Sequence, residues 1–189
     1  MTNAETNAVC ANTWPSSDVG FRVPYEVFTD SAYYEREQEQ IFRGDSWSFV
    51  GLEAKIPNNG DFKSTAIGET PVIITRDNDG IVNVMQNRCA HRGALICRER
   101  RGNTKRLQCV YHQWAYNLKG HLKGVPFRAG IEGKGGMPDG FKLEDHSLKS
   151  LRTGILNGMI FATFSNRVAT LEEFLGPMMV ASIGRIFNR

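Results

Sequence analysis

The chain has 189 residues, 41% of them hydrophobic and 23% charged, and a formal net charge of +3 at pH 7. This is an ordinary globular composition, long enough to bury a core without crosslinks and too mildly basic to predict a nucleic-acid partner. No apolar run approaches the roughly 18 residues needed to cross a bilayer. The opening MTNAETNAVCANTW has neither the basic nor the apolar region of a secretory leader. These features predict a cytoplasmic protein.

Residues 1–24 are polar and interrupted by Pro15 and Pro24, and they predict an irregular tail that also carries Cys10. A helix is expected from Thr29 or Asp30 to Gly44, with Tyr34, Gln38, Ile41 and Phe42 at helical spacing. Strands follow at 47–52 and 61–67. The runs PVIIT (71–75) and IVNVM (81–85) flank Arg-Asp-Asn-Asp-Gly and predict a hairpin. Another short strand is expected at 106–110, with a turn from Tyr116 to Gly120. LRTGIL and MIFATF flank Asn157-Gly158, the strongest two-residue hairpin signal in the chain. Before this hairpin, residues 126–147 hold five glycines and two prolines and predict a long irregular loop, with His121 and His146 around it as surface or core histidines. Thr170 and Glu173 form a capping box for a final amphipathic helix, interrupted at Gly176-Pro177. Its residues Val180, Ile183, Ile186 and Phe187 call for a partner surface.

The chemistry concentrates in residues 88–116. Cys89-Ala90-His91 and Cys109-Val110-Tyr111-His112 each pair a cysteine with a histidine, seventeen residues apart, and His91 and His112 are half of the four histidines in the chain. Two cysteines on one iron and two histidines on the other is the ligand set of a [2Fe–2S] cluster of mixed type. A mononuclear zinc site also takes two Cys and two His, although zinc modules usually pair like with like in each half. Cys97 ends a short apolar run and reads as a packed thiol.

The pattern C-x-H-x17-C-x2-H, with Gln113-Trp114 following, resembles the Rieske family. That resemblance implies a mainly β fold. Its core would be an antiparallel β-sheet domain carrying two metal-binding loops at hairpin tips, flanked here by an N-terminal and a C-terminal helix. It implies that Cys89, His91, Cys109 and His112 hold the cluster and that Trp114 and Tyr111 pack over it to exclude water. In the respiratory branch a disulfide ties the two loops. Ala94 and Tyr111 occupy those places here, which resembles the low-potential branch and fits a reducing compartment.

A narrower resemblance rests on VPYEVFTD, GLEAKIPNNGDF, GETPVI, NRCAHRG, CVYHQWAYNLKGHLKGVPF, GGMP and EEFLGP. These look like the N-terminal part of the large (alpha) subunit of a Rieske non-haem iron aromatic-ring-hydroxylating oxygenase, most similar to members acting on terephthalate, salicylate or anthranilate. The implied activity is electron transfer from a ferredoxin or reductase to a mononuclear iron that hydroxylates an aromatic substrate with O2. That Fe(II) belongs to a C-terminal domain whose motif, an aspartate two residues before the first of two histidines spaced five apart, does not occur in this sequence. The chain alone is therefore expected to lack the catalytic iron. The implied assembly is a trimer-based homo-oligomer, with a small beta subunit in some members. Expected divisions are a tail and packing helix at 1–45, the cluster domain at 46–166, and the start of a catalytic domain at 167–189. The alternative is a stand-alone Rieske-type ferredoxin. Seven basic residues, Arg88, Arg92, Arg98, Arg100, Arg101, Lys105 and Arg106, stand against Glu99 alone. They read either as a solvated face or as a docking surface for an acidic donor.

Overall fold

A computed structural model describes residues 23–187, so all but the last two residues of the tail expected over 1–24, Cys10 and Pro15 included, lie outside the described residues. The first described elements are a single turn, α1 (Glu26–Thr29), and α2 (Ser31–Glu37), which continues as a π-helical turn over Gln38–Phe42. Asp30 caps α2 by accepting from the Ala32 amide at 2.8 Å, the N-cap role its short carboxylate suits. The helix stops at Gly44, where any side chain would strike the Gln40 carbonyl. Gln38 is buried and accepts from the Glu69 amide at 3.0 Å, whereas Tyr34 and Ile41 stay exposed. The expected apolar face is thus only partly used.

Ten strands follow: β1 (Ser48–Leu52), β2 (Asp61–Ile67), β3 (Thr70–Arg76), β4 (Val82–Gln86), β5 (Arg101–Asn103), β6 (Leu107–Gln108), β7 (Ala115–Tyr116), β8 (Leu122–Gly124), β9 (Arg152–Leu156) and β10 (Met159–Thr163). They form three antiparallel sheets, in the orders β1-β10-β9, β4-β3-β2-β5 and β6-β7-β8. The middle sheet explains the uninterrupted apolar run of β3. Val72 and Ile74 pack into one core with Val50, Ile160 and Ala162, and Ile73 faces the other, with Leu107, Tyr116 and Leu122. A strand buried on both faces has no polar face to alternate with. The Asn157-Gly158 hairpin forms as expected between β9 and β10, with φ of 49° and 79° at the two turn residues, the left-handed pair that a type I′ turn requires.

One topological expectation needs correcting. The second metal loop does sit at a hairpin tip, between β6 and β7. The first does not, because β4 and β5 lie at opposite edges of the middle sheet. The chain leaves β4 at one edge and crosses to pair β5 with β2, so this loop is part of a long crossover. Strands β5, β7 and β8, of two or three residues each, are too short to show a periodicity. The last helix, α3 (Leu171–Phe187), starts in the expected capping box: the Thr170 amide donates to Glu173 Oε2 at 3.0 Å, and the Glu173 amide to Thr170 Oγ1 at 3.4 Å. It breaks at Gly176 (φ 74°) before Pro177. Leu171 and Ile183 are buried, while Met178 and Ile186 remain exposed. Among the described residues, no helix is long and apolar enough to cross a membrane.

Candidate metal centre

The two loops repeat one local pattern. In the first, the Cys89 amide donates to the Ala94 carbonyl at 2.8 Å and the Gly93 amide to the Cys89 carbonyl at 2.8 Å. In the second, the Cys109 amide donates to the Trp114 carbonyl at 2.9 Å and the Gln113 amide to the Cys109 carbonyl at 3.0 Å. Both turns need a left-handed residue four positions after the cysteine, and these are Gly93 (φ 70°) and Gln113 (φ 59°). Closing each turn tightly under its cysteine points both thiols inward, and both are buried.

At the neck of the first loop, the buried Asn87 holds Cys97 from both sides. Its Nδ2 donates to the Cys97 carbonyl at 2.7 Å, and its Oδ1 accepts from the Cys97 amide at 2.9 Å. The far ends of the supporting hairpins are tied together. Lys119, in the turn between β7 and β8, reaches Asp79 at 2.7 Å and Asp77 at 3.8 Å in the turn between β3 and β4. The Thr75 hydroxyl donates to the Leu118 carbonyl at 2.6 Å beside it.

Between the loops the four side chains associate by type. The Cys89 thiol is held high in pKa, mainly by burial and further by the neighbouring Cys109 thiol; the Tyr116 hydroxyl and the His91 amide oppose this by hydrogen-bonding the sulfur. Tyr116, itself fully buried, stands 3.2 Å from Cys89 Sγ and accepts from the Ala90 amide at 3.2 Å. Burial beside that thiol raises the pKa of the Tyr116 phenol, so it stays protonated. The His91 and His112 rings lie 4.6 Å apart, centroid to centroid. Burial, then His112 and Arg92, lower the pKa of His91, so its ring is neutral at neutral pH. Among the described residues, no three His, Cys, Asp or Glu side chains gather as a single ion would require.

His91 supplies the test of fit. Its Nδ1 is buried and has no hydrogen-bond partner, an arrangement that costs free energy unless something else satisfies the lone pair. A metal bound between the two imidazoles would do so. The ring is fixed by the buried Trp114, stacked on it at 4.8 Å and 7°. Trp114 is in turn met edge-on by Phe141 at 5.9 Å and by His146 at 5.7 Å. The glycine-rich segment is thus irregular as expected, but its far end forms a buttress for the site, and His146 is part of it. His121 is exposed on the β7–β8 turn, away from these rings. Tyr111 stacks on His112 at 3.8 Å, yet it is 60% exposed, so Trp114 excludes water while Tyr111 covers only one ring face. Cys89, Cys97 and Cys109 are all free thiols, so no disulfide joins the described loops. Asn87, Tyr116 and Phe141 escaped the sequence reading. The available signal was a polar residue, Asn87, set between the apolar β4 and the first cysteine.

Residues 46–151 match the family model described as the Rieske [2Fe-2S] domain. The chain is 54% identical over 172 residues to the anthranilate 1,2-dioxygenase large subunit of Burkholderia cepacia, covering 91% of this chain and 41% of that one. It is 51% identical over 179 residues to the large oxygenase component of salicylate 5-hydroxylase from Ralstonia sp, covering 93% and 42%. Among solved structures, naphthalene 1,2-dioxygenase from Rhodococcus sp. bound to indole superposes with a TM-score of 0.79 at 31% identity, covering 88% of this chain and 37% of that one. The chain therefore spans well under half the length of these relatives. With more than half of its residues inside the matched domain, and two thiol–imidazole loops folded face to face as that domain needs, it belongs to the Rieske [2Fe–2S] domain family.

Proposed function

We propose that Cys89 and Cys109 hold one iron of a [2Fe–2S] cluster and His91 and His112 the other. We further propose that the chain serves as the electron-transfer domain of an aromatic-ring-hydroxylating oxygenase alpha subunit. The observation that carries the ligand assignment is the buried, unpartnered Nδ1 of His91 beside the His112 ring. When bound, the cluster supplies reversible one-electron transfer. The chain's own contribution is to present two buried thiols and two adjacent imidazoles, that of His91 neutral. Tyr116 and the His91 amide donate hydrogen bonds to the Cys89 sulfur, which favour its thiolate. Trp114 and its aromatic buttress keep water from one side of His91. The partly exposed His91–His112 edge is then the short path outward to a mononuclear iron held elsewhere.

The relatives named for anthranilate and salicylate support an aromatic carboxylate as substrate. Their designation as large subunits supports an assembly, for which we favour a cytoplasmic trimer of alpha subunits, with or without a small beta subunit, reduced by a ferredoxin or reductase. In this reading residues 46–166 are the cluster domain and 167–189 lead into a catalytic domain. Anaerobic reconstitution of the purified chain with iron and sulfide tests the core of the proposal. About two irons and two acid-labile sulfides per chain, with visible absorbance and an EPR signal on reduction, are expected; Cys109→Ser should abolish all three. A colourless protein that instead takes up one zinc ion would overturn it.

A further inference from the structure

Beside the first loop, on the face of the middle sheet's β2–β5 edge, lies a concavity of about 610 Å³. Four cations line it: Lys55, Lys63, Arg100 and Arg101. No acidic residue does. Two of these cations come from outside the basic run recognised in the sequence. Lys63 and Arg101 are direct partners in the β2–β5 ladder, a position where like charges repel. None of the four has an ion pair among the described residues; Lys63 donates only to the Val50 carbonyl, at 3.2 Å. Two acids adjacent in sequence to lining residues do not line it. Glu53 pairs with Arg76 at 2.9 Å, and Glu99 lines a separate concavity. The backbone shapes the space: β1 bulges between Phe49 and Gly51, and a side chain at Gly51 would crowd Ile74 first and then the Lys63 ammonium. Phe49, half exposed, gives the rim of cations an apolar centre.

The concavity is mechanically joined to the metal loops. Segment 96–101 separates it from a second depression, lined by Ile96, Cys97, Arg98, Glu99 and, from the other loop, Val110, the neighbour of Cys109. Ser64 stitches that segment to β2, its hydroxyl donating to the Glu99 carbonyl at 2.9 Å and its amide to the Arg100 carbonyl at 3.0 Å. The cationic site therefore adjoins the segment that follows the first loop, whereas Trp114 and Tyr111 stack on the histidine rings.

We infer that this concavity is the docking site for an acidic protein electron donor, whose surface carboxylates enter between Lys63 and Arg101 and relieve their repulsion. The inference rests on the electron-transfer reading above, and it separates an entry face on the β2–β5 edge from an exit edge at the histidines. An apolar centre with a charged rim is the usual anatomy of a transient protein interface, and charge complementarity of this kind acts chiefly on encounter rate.

The test uses the full chain with an acidic plant-type [2Fe–2S] ferredoxin as the probe. Calorimetry follows its binding, and stopped-flow absorbance follows its oxidation by the reconstituted chain. At low ionic strength, a Lys63→Gln/Arg101→Gln double variant should lose roughly tenfold in both affinity and rate, with a flatter salt dependence. Lys123→Gln, on β8, should change neither, and Arg101→Lys should retain most of the binding. The double variant should also melt no lower than the parent, because it removes a like-charge pair. Unchanged ferredoxin binding overturns the inference. So does a double variant that only changes self-association in sedimentation, which would assign the face to a second copy of the chain. Protection by inorganic phosphate with ferredoxin binding untouched by the substitutions would assign it to a small anion, and again overturns it. Calorimetry keeps the two readings apart: a chain that assembles no cluster but binds ferredoxin through these cations sinks the electron-transfer role and supports the docking site.

Discussion

The loop at Cys89 and the loop at Cys109 share two backbone hydrogen bonds and a left-handed residue, yet they are carried by unlike supports. The second stands on a two-strand hairpin whose ladder, Leu107 with Tyr116 and Gln108 with Ala115, runs straight into the turn. The first hangs in a crossover between opposite edges of a sheet and has no such ladder. Asn87 does the same job with a side chain, pairing with both backbone groups of Cys97. Equal geometry at the tips is thus reached by backbone pairing on one side and by a single amide on the other. Robustness should differ accordingly.

The sharpest way to break the symmetry is Asn87→Ala. It leaves the Cys97 amide and carbonyl without their partner in a partly buried neck, a loss of about 3 kcal/mol in urea unfolding, accompanied by poor cluster uptake. The matching change at the other base, Gln108→Ala, removes only an exposed contact with Gln113 and should cost less than about 0.5 kcal/mol. Equal costs at the two sites would refute the contrast. A smaller effect compares the left-handed residues. Nothing lies within 4 Å of a side chain added at Gly93, so Gly93→Ala should destabilise by about 1 kcal/mol through backbone strain alone. Gln113→Gly relieves the same strain and should stabilise by about 0.5 kcal/mol in the same unfolding assay.

The smallest effect concerns the tie at the far ends. Burial opposes ionisation of Asp77, but hydrogen bonds from Asn83 and the Ile81 and Asp79 amides, with Lys119 nearby, hold its pKa below the usual carboxylate value. A depressed pKa contributes stability that is full above the unfolded-state value of about 4 and is lost as pH falls through the lower folded value. The parent chain should therefore lose more stability than Asp77→Asn as pH drops below about 4. Parallel melting curves for the two across that window would remove Asp77 from the account.

How much of this was legible follows from what each feature looks like in one dimension. The span of β2 and the Asn157-Gly158 turn were read correctly because alternation and a left-handed turn pair are local signals. The two cysteines and two histidines were legible as chemistry, since few other sites mix those types at that spacing. The crossover was not. Nothing in the residues after β4 says which edge β5 will join, because pairing with β2 is a long-range choice. The role of the glycine-rich segment was equally hidden, since Phe141 and His146 reach Trp114 only through tertiary folding. The Lys63–Arg101 pair could not be seen either, because the two residues become neighbours only once β5 has found its edge.

Lys119 with its two aspartates, and Thr75 with Leu118, fasten the hairpins at the ends away from the cysteines. Two arms joined at the handles and open at the tips behave as tongs with a fixed pivot. If the tips hold the proposed cluster, such a pivot would restrain the arms when the charge there changes by one electron. Small reorganisation is what makes outer-sphere electron exchange fast. Under the proposed electron-transfer role, a pivot away from the cysteines would therefore bear on the speed of exchange without touching the site.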